Sequence, residues 1–191
     1  GSRISHQPDS SGSGSRDCRE LRAEGCVSGN EAREQVRTYG GFDYTVTVQS
    51  GTDKTAAVAK IGATEYPSLR EAIKAVRNGE TIELLQNLDL GSGVVQLEDI
   101  DKDFTIDLGN YELKANAQYL VYMMEGKGHV TIQNGMLNGS SCTSYTIFVC
   151  GGNFGGSPKL ILKNVTATAN GKRPVVQVVA NGTVEFDGGT Y

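Results

Sequence analysis

The feature of this chain that most constrains its fold is a four-residue pattern that recurs four times in the second half. In each copy the first and third positions are apolar and the fourth is polar, which is the period-two pattern of a strand with one buried face. The copies begin 26, 30 and 24 residues apart, at Phe104, Val130, Leu160 and Val184, and Asn or Gly soon follows each. A strand that repeats at this interval, with a turn after each copy, predicts a solenoid.

A second set of apolar segments supports this interpretation. Three segments align through the glycines that follow them, Gly126, Gly152 and Gly182: they are 119–124, 145–150 and 175–180. Two strands per repeat is too much strand for a leucine-rich or helical repeat. Stacked coils would form one interior column from Phe104, Val130, Leu160 and Val184, and another from Ile106, Ile132, Leu162 and Phe186. A β-sandwich of short strands is the alternative, but the near-fixed interval favours the solenoid.

One upstream segment has helical periodicity instead. Ser68 and Glu71 have the spacing of a capping box, and four apolar residues follow at helical intervals before Gly79. We expect about three turns of amphipathic helix, flanked by strands at 57–61 and 81–85. A solenoid exposes apolar core at its first coil, so this strand-helix-strand segment is well placed to be the N-terminal cap.

Four segments resemble a repeat module found in secreted and cell-surface proteins of Gram-positive bacteria, within the pectate-lyase-like superfamily. They are 58–66, 68–73, 78–85 and 104–113, and the resemblance extends over about residues 56–191. It implies an all-β fold, a right-handed parallel β-helix (solenoid) with an N-terminal strand-helix-strand cap. The chain departs from the family pattern at Gly109-Asn110, where Asn-Gly is expected.

The arginines and lysines suggest a boundary near residue 50. All six arginines before residue 38 occur without a lysine, whereas nine lysines and three arginines follow from Lys54 onward. We expect residues 1–50 to be an expression scar, a flexible linker at 9–15 and a weakly packed appendage. The composition of 18–37 is compatible with a helix but lacks a sustained apolar stripe, and 44–48 alternates as a strand that would pair with the edge of the body. Residues 51–90 would be the cap, and 91–191 the coils.

The predicted coils stop within a repeat. Residues 184–191 begin a fourth copy of the first pattern without a following second-set strand. We therefore expect the natural protein to continue past Tyr191, and the layer around Phe186 to favour end-to-end self-association.

Composition excludes two broad classes of function. A net charge of −4, spread along the chain, argues against nucleic acid, which requires a basic face. No apolar run approaches the roughly 18 residues of a membrane span. The 25 glycines and absence of tryptophan suit short strands joined by many turns.

The four cysteines form two pairs of equal spacing, Cys18/Cys26 and Cys142/Cys150. Local disulfides in an oxidising compartment and free buried thiols both remain open. No zinc motif is present, since His6 and His129 are the only histidines. Residues 99–103 alternate like a calcium loop but lack its required Gly and Glu, so we interpret them as a polar bend. We expect no metal and no cofactor.

The candidate ligand-binding face consists of outward positions on the stacked strands. Enzymes of this superfamily act on that face through clustered acidic and basic residues. Here it holds a mixed set, without a convergent acid, base and cation: Thr105, Asp107, Thr131, Gln133, Lys163, Glu185 and Asp187. A second candidate is Tyr119 with Tyr145, which share a column and offer rings for packing or for sugar stacking.

These observations favour a non-enzymatic, extracellular surface module that binds a glycan or a host protein, as an adhesin does. One alternative is a fragment of a carbohydrate-active polysaccharide lyase or glycoside hydrolase. Another is a structural stalk.

Overall fold

A computed structural model describes residues 56–152 and 155–191, together with the backbone of two strands nearer the N-terminus. These two, β1 (Arg33–Tyr39) and β2 (Phe42–Val48), form an antiparallel hairpin in which Tyr39 pairs with Phe42. The expected strand at 44–48 is confirmed, and β1 is its partner in the hairpin. Residues 33–37, whose composition is compatible with a helix, lie in β1 instead. Residues 18–32 and the linker lie outside the described ranges.

The second compact unit spans residues 54–191, and its described part is mostly β-structure. That part contains one helix, α1 (Leu69–Ala75). Its strands are β3 (Ala59–Ile61), β4 (Thr64–Tyr66), β5 (Thr81–Leu84), β6 (Leu88–Asp89), β7 (Val95–Glu98), β8 (Phe104–Asp107), β9 (Glu112–Lys114), β10 (Tyr119–Met124), β11 (His129–Gly139), β12 (Tyr145–Cys150), β13 (Lys159–Ala169), β14 (Val176–Val179) and β15 (Thr183–Thr190).

The strands form two parallel sheets between which the chain alternates. The short sheet has the order β7-β10-β12-β14. The parallel part of the long sheet has the order β5-β8-β11-β13-β15, and β9 pairs with the second half of β11. Strands of one sheet are therefore separated in sequence by a strand of the other, which makes about four turns of a parallel β-helix. The predicted fold class is confirmed.

The core columns have the predicted register. Val130 pairs with Phe104 and Leu160, and Ile132 pairs with Ile106 and Leu162. All six side chains are at most 3% exposed. The same columns continue to the last coil, but there Phe186 is 49% exposed. Apolar burial along these columns is the main stabilising contribution in such a fold.

The long strands bend where the sequence predicted turns. Asn134 and Asn164 have φ values of 57° and 50°, in the left-handed region that Asn tolerates better than most residues. Each strand continues after the bend, so β11 and β13 are 11 residues long. The Asn residues therefore form a corner within a strand and do not end it.

The helix covers the first coil, as predicted. Ser68 Oγ accepts a hydrogen bond from the Glu71 amide at 3.2 Å, and Leu69, Ala72 and Ile73 are buried against β3, β5 and β7. The predicted length is wrong, because α1 has seven residues, about two turns. Val76 ends the helix with φ −58° and ψ 139° while its side chain stays buried. Within the described ranges, no helix has the length and apolarity that crossing a membrane demands.

One strand of the predicted second set of apolar segments is shifted by one residue. Cys150 pairs with Val179, not with Ala180 as the alignment of glycines implied. The turns after β10 and β12 use Gly126 and Gly152 at φ 70° and 66°, but the turn after β14 uses Asn181 at φ 53°. Asn can replace Gly in this conformation. Asn181, and not Gly182, is therefore the position equivalent to Gly126 and Gly152.

Candidate functional site

The seven residues of the predicted ligand face lie in two columns on the long sheet. Thr105, Thr131 and Glu185 share one column with Ile161, and Asp107, Gln133, Lys163 and Asp187 form the other. None is buried, and Lys163, Glu185 and Asp187 are exposed. The predicted outward register is therefore observed.

The polar groups of this face bond mainly to one another. Asp107 Oδ2 accepts hydrogen bonds from Gln133 Nε2 at 2.7 Å and from Asn134 Nδ2 at 3.0 Å. Lys163 Nζ lies 3.6 Å from Asp187 Oδ2. An exposed ion pair such as that of Lys163 with Asp187 contributes little stability. Binding at this face stays a prediction.

The short sheet carries a different kind of surface, which we call the aromatic surface: Tyr119, Tyr122, Tyr145 and Phe148. Centroids of Tyr119 and Phe148 are 5.0 Å apart, those of Tyr122 and Phe148 5.6 Å, and those of Tyr119 and Tyr122 5.5 Å. Tyr119 and Tyr145 are 6.5 Å apart with ring planes inclined by only 4°. All four side chains are half-buried, so each keeps part of its ring in contact with solvent.

The parallel register explains how four rings meet. Tyr119 pairs with Tyr145 and Tyr122 pairs with Phe148 on the adjacent coil, about 4.8 Å away along the solenoid axis. The side chains between them, Leu120, Val121 and Met123, are fully buried. These core residues anchor β10, so the rings are held on a rigid sheet and not on a loop.

Charged groups lie at both ends of the aromatic surface. Arg173 Cζ is 5.9 Å from the centroid of Tyr145. At the other end, β7 places Gln96 opposite Tyr122 and Glu98 opposite Met124. Burial raises the pKa of the Tyr122 hydroxyl, with smaller contributions from Glu98 and other nearby groups, so the hydroxyl stays neutral; it donates a hydrogen bond to Met124 Sδ at 2.8 Å.

An open groove of about 450 Å³ adjoins this end, beside α1 and β7. Glu98, Asp99 and Asp101 line it together with two lysines, Lys74 and Lys102. The Lys102 ammonium donates to the carbonyl of Val76 at 2.5 Å and to that of Ile73 at 3.3 Å, at the C-terminal end of α1. Lys102 therefore stabilises the C-terminal end of α1. Glu98 lines the groove and also lies on β7, the strand next to Tyr122.

The predicted local disulfide at Cys142 and Cys150 is not formed. Both residues are buried free thiols, and Cys142 Sγ lies 3.9 Å from the carbonyl oxygen of Ala115. Burial raises the pKa of the Cys142 thiol, which disfavours the reactive thiolate. Of the two open alternatives, the structure has the free-thiol state for this pair. Cys18 and Cys26 lie outside the described residues.

The acidic bend at 99–103 caps the backbone of the next coil. Asp101 Oδ1 accepts from the Lys127 amide at 2.9 Å, and Asp103 Oδ1 accepts from the His129 amide at 2.7 Å. Asp103 also places Oδ2 3.8 Å from His129 Nδ1. The sequence had shown no carboxylate near His129, because Asp103 is 26 residues away in the chain and one coil away in space.

Sequence reasoning found Tyr119 and Tyr145 but missed Tyr122 and Phe148. Tyr122 and Phe148 also share a column, and each lies three positions after the tyrosine of its own strand. The alignment of segments 119–124 and 145–150 therefore already paired these two rings. The chain matches no protein family, no curated protein and no solved structure.

Proposed function

We propose that this chain is a non-enzymatic, glycan-binding module and that glycans bind at the aromatic surface. The observation that carries the proposal is a contiguous group of four partly exposed rings on a rigid sheet. Aromatic rings combine a large apolar face with, in tyrosine, a polar edge, and this combination suits the apolar face and hydroxyl rim of a sugar.

The polar columns support binding less well. Their carboxylates, amides and ammonium groups already bond within the columns, so a ligand has to displace those contacts before it gains its own. The rings already stack on one another, and Arg173 lies over Tyr145, but these contacts leave part of every ring exposed. A ligand therefore loses fewer existing interactions by binding to the rings.

The proposal includes an extracellular, adhesin-like setting in a bacterial cell-surface protein of the pectate-lyase-like superfamily. It is supported by the parallel β-helix with a helical cap and by the four segments that resemble such modules. The β-helix presents side chains in regular columns on flat faces, which suits repetitive ligands such as glycans.

A glycan array probed with the purified protein and three variants tests the proposal. We expect Tyr122→Ala and Phe148→Ala each to lose most of the bound signal, while Gln133→Ala, on the opposite polar face, keeps it. Unchanged circular dichroism would show that the variants are folded. Loss of binding in Gln133→Ala but not in the aromatic variants would assign the site to the polar columns, and absence of any glycan signal for the parent would refute the proposal.

A further inference from the structure

We propose that the glycan bound here carries free amino groups, and that a protonated sugar amine binds between the aromatic surface and the carboxylates of Glu98 and Glu125. This rests on the proposed function and specifies its ligand class. The chemical class is a polymer of glucosamine-like units, as opposed to a neutral or acidic polysaccharide.

The rings themselves favour a cation. The face of an aromatic ring carries partial negative charge, and a cation within about 6 Å of its centroid is attracted to it. Arg173 already occupies such a position over Tyr145. Tyr122 and Phe148, at the other end, stack on each other, and no lysine or arginine of the described residues lies over the remaining face of either ring.

Two carboxylates provide the complementary charge at that end. Glu98 lies on β7, one strand from Tyr122, and Glu125 directly follows β10. Both carboxylates help to raise the pKa of the Tyr122 hydroxyl, after the larger effect of burial. Within the described ranges, neither forms an ion pair with a lysine, arginine or histidine.

The groove gives an amine room to approach Glu98. Glu98 accepts a hydrogen bond from Gln96 Nε2 at 2.6 Å, which holds its carboxylate on the surface of β7. Two further carboxylates line the groove, Asp99 and Asp101. Lys74 and Lys102 line it as well, and Lys102 is held by the carbonyls of α1, so three carboxylates share the groove with two ammonium groups and its lining is acidic.

This arrangement disfavours the other ligands. An anionic glycan would meet Glu98 and Glu125 as like charges, which costs binding energy. A neutral glycan would stack on the rings without using either carboxylate. A lysine-rich peptide needs one or two rings per ammonium group, whereas four adjoining rings offer a continuous surface to a chain of sugar rings.

Isothermal titration calorimetry with three matched hexamers tests the inference: β-1,4-linked glucosamine, N-acetylglucosamine and glucose. The titrations are carried out at about pH 6. We expect the glucosamine hexamer to bind about tenfold more tightly than the glucose hexamer. In the double variant Glu98→Gln, Glu125→Gln, we expect its affinity to fall to that of the glucose hexamer. Thr131→Ala, on the long sheet, is the control and should retain the preference.

The outcomes separate this inference from the proposed function. Equal binding of all three hexamers, or a preference that survives the double variant, would refute the role of the amine while leaving glycan binding intact. Failure of every hexamer and of the glycan array would refute both. A hexalysine peptide that binds more tightly than the glucosamine hexamer would identify a basic protein partner and overturn the inference.

Discussion

Truncation of Ile132 to Ala tests whether stacked interior columns stabilise the β-helix. Ile132 is fully buried, and strand pairing places Ile106 on one side of it and Leu162 on the other. The substitution removes three carbon atoms from the middle of this column. Neighbouring strands are fixed by their backbone ladders, so the column cannot close the gap by sliding.

The expected loss of stability combines two contributions. Transfer of three methyl or methylene groups is worth about 2.4 kcal/mol at about 0.8 kcal/mol for each group. A residual cavity adds to that value because the surroundings relax only in part. We therefore expect the free energy of unfolding to fall by about 3 to 4 kcal/mol.

Ile161→Ala is the matched control. Ile161 is the same residue type on the adjacent strand, one position away in register, but it points outward and is half-buried. We expect it to cost about 1 kcal/mol or less, and Thr131→Ala to cost similarly little. Urea unfolding followed by circular dichroism measures all three variants. An effect of Ile161→Ala or Thr131→Ala as large as that of Ile132→Ala would refute the assignment of inward and outward columns.

Four further outcomes follow from the structure. Ser68→Ala should lower the free energy of unfolding by about 1 kcal/mol through loss of the helix cap, and an unchanged urea midpoint would contradict this. Asp89 accepts a hydrogen bond from the Gly91 amide and pairs with Lys114, and these contacts lower the pKa of its carboxyl below the usual 3.8. The stability that Asp89 contributes should therefore be lost as the pH falls through that lowered pKa, and Asp89→Asn should make acid unfolding less steep. No polysaccharide should be cleaved in a broad substrate screen, and turnover that disappears in Asp187→Asn would disprove this. Association through the exposed Phe186 should increase with concentration in light scattering and weaken in Phe186→Ser, whereas a strict monomer at millimolar concentration would argue against it.

The fold was predictable because its determinants repeat. A period-two apolar pattern at a near-fixed interval defines which side chains face inward, and stacking then pairs like positions, as Val130 with Phe104 and Leu160. The alignment of the second set of segments was wrong where Asn takes the left-handed conformation that Gly takes in the other turns. At Asn181 a left-handed turn occurs without Gly, so an alignment based on glycines shifted Val175–Ala180 by one position.

Local features whose ends depend on packing were less predictable. Val76 falls at helical spacing, so the sequence predicts that it lies within the helix. In the structure Val76 is the first residue after α1, and its side chain is still buried. β4 was not foreseen, because its three residues are stabilised by pairing with β3 and carry little apolar periodicity. In both places packing or strand pairing outweighs the propensity of the individual residues.

The candidate site was predicted only in part, for a reason that lies in the geometry of stacking. Charged columns such as Asp107, Lys163 and Asp187 look like a ligand face in sequence because parallel register brings them together. The same register also brings acid to base or amide, so Lys163 meets Asp187, and Gln133 meets Asp107. The register that brings these polar side chains close together therefore also lets them pair with one another, so a charged column tends to form its hydrogen bonds and ion pairs internally.

Aromatic columns behave differently under the same register. Stacking Tyr119 on Tyr145, and Tyr122 on Phe148, brings the rings into contact but leaves part of every ring exposed, because each side chain extends from the sheet surface. Their edges and remaining faces stay available to a ligand, and the nearest carboxylates, Glu98 and Glu125, lie outside the aromatic columns themselves. In this solenoid the repeat thus pairs polar side chains of the long sheet with one another and leaves the rings of the short sheet partly exposed.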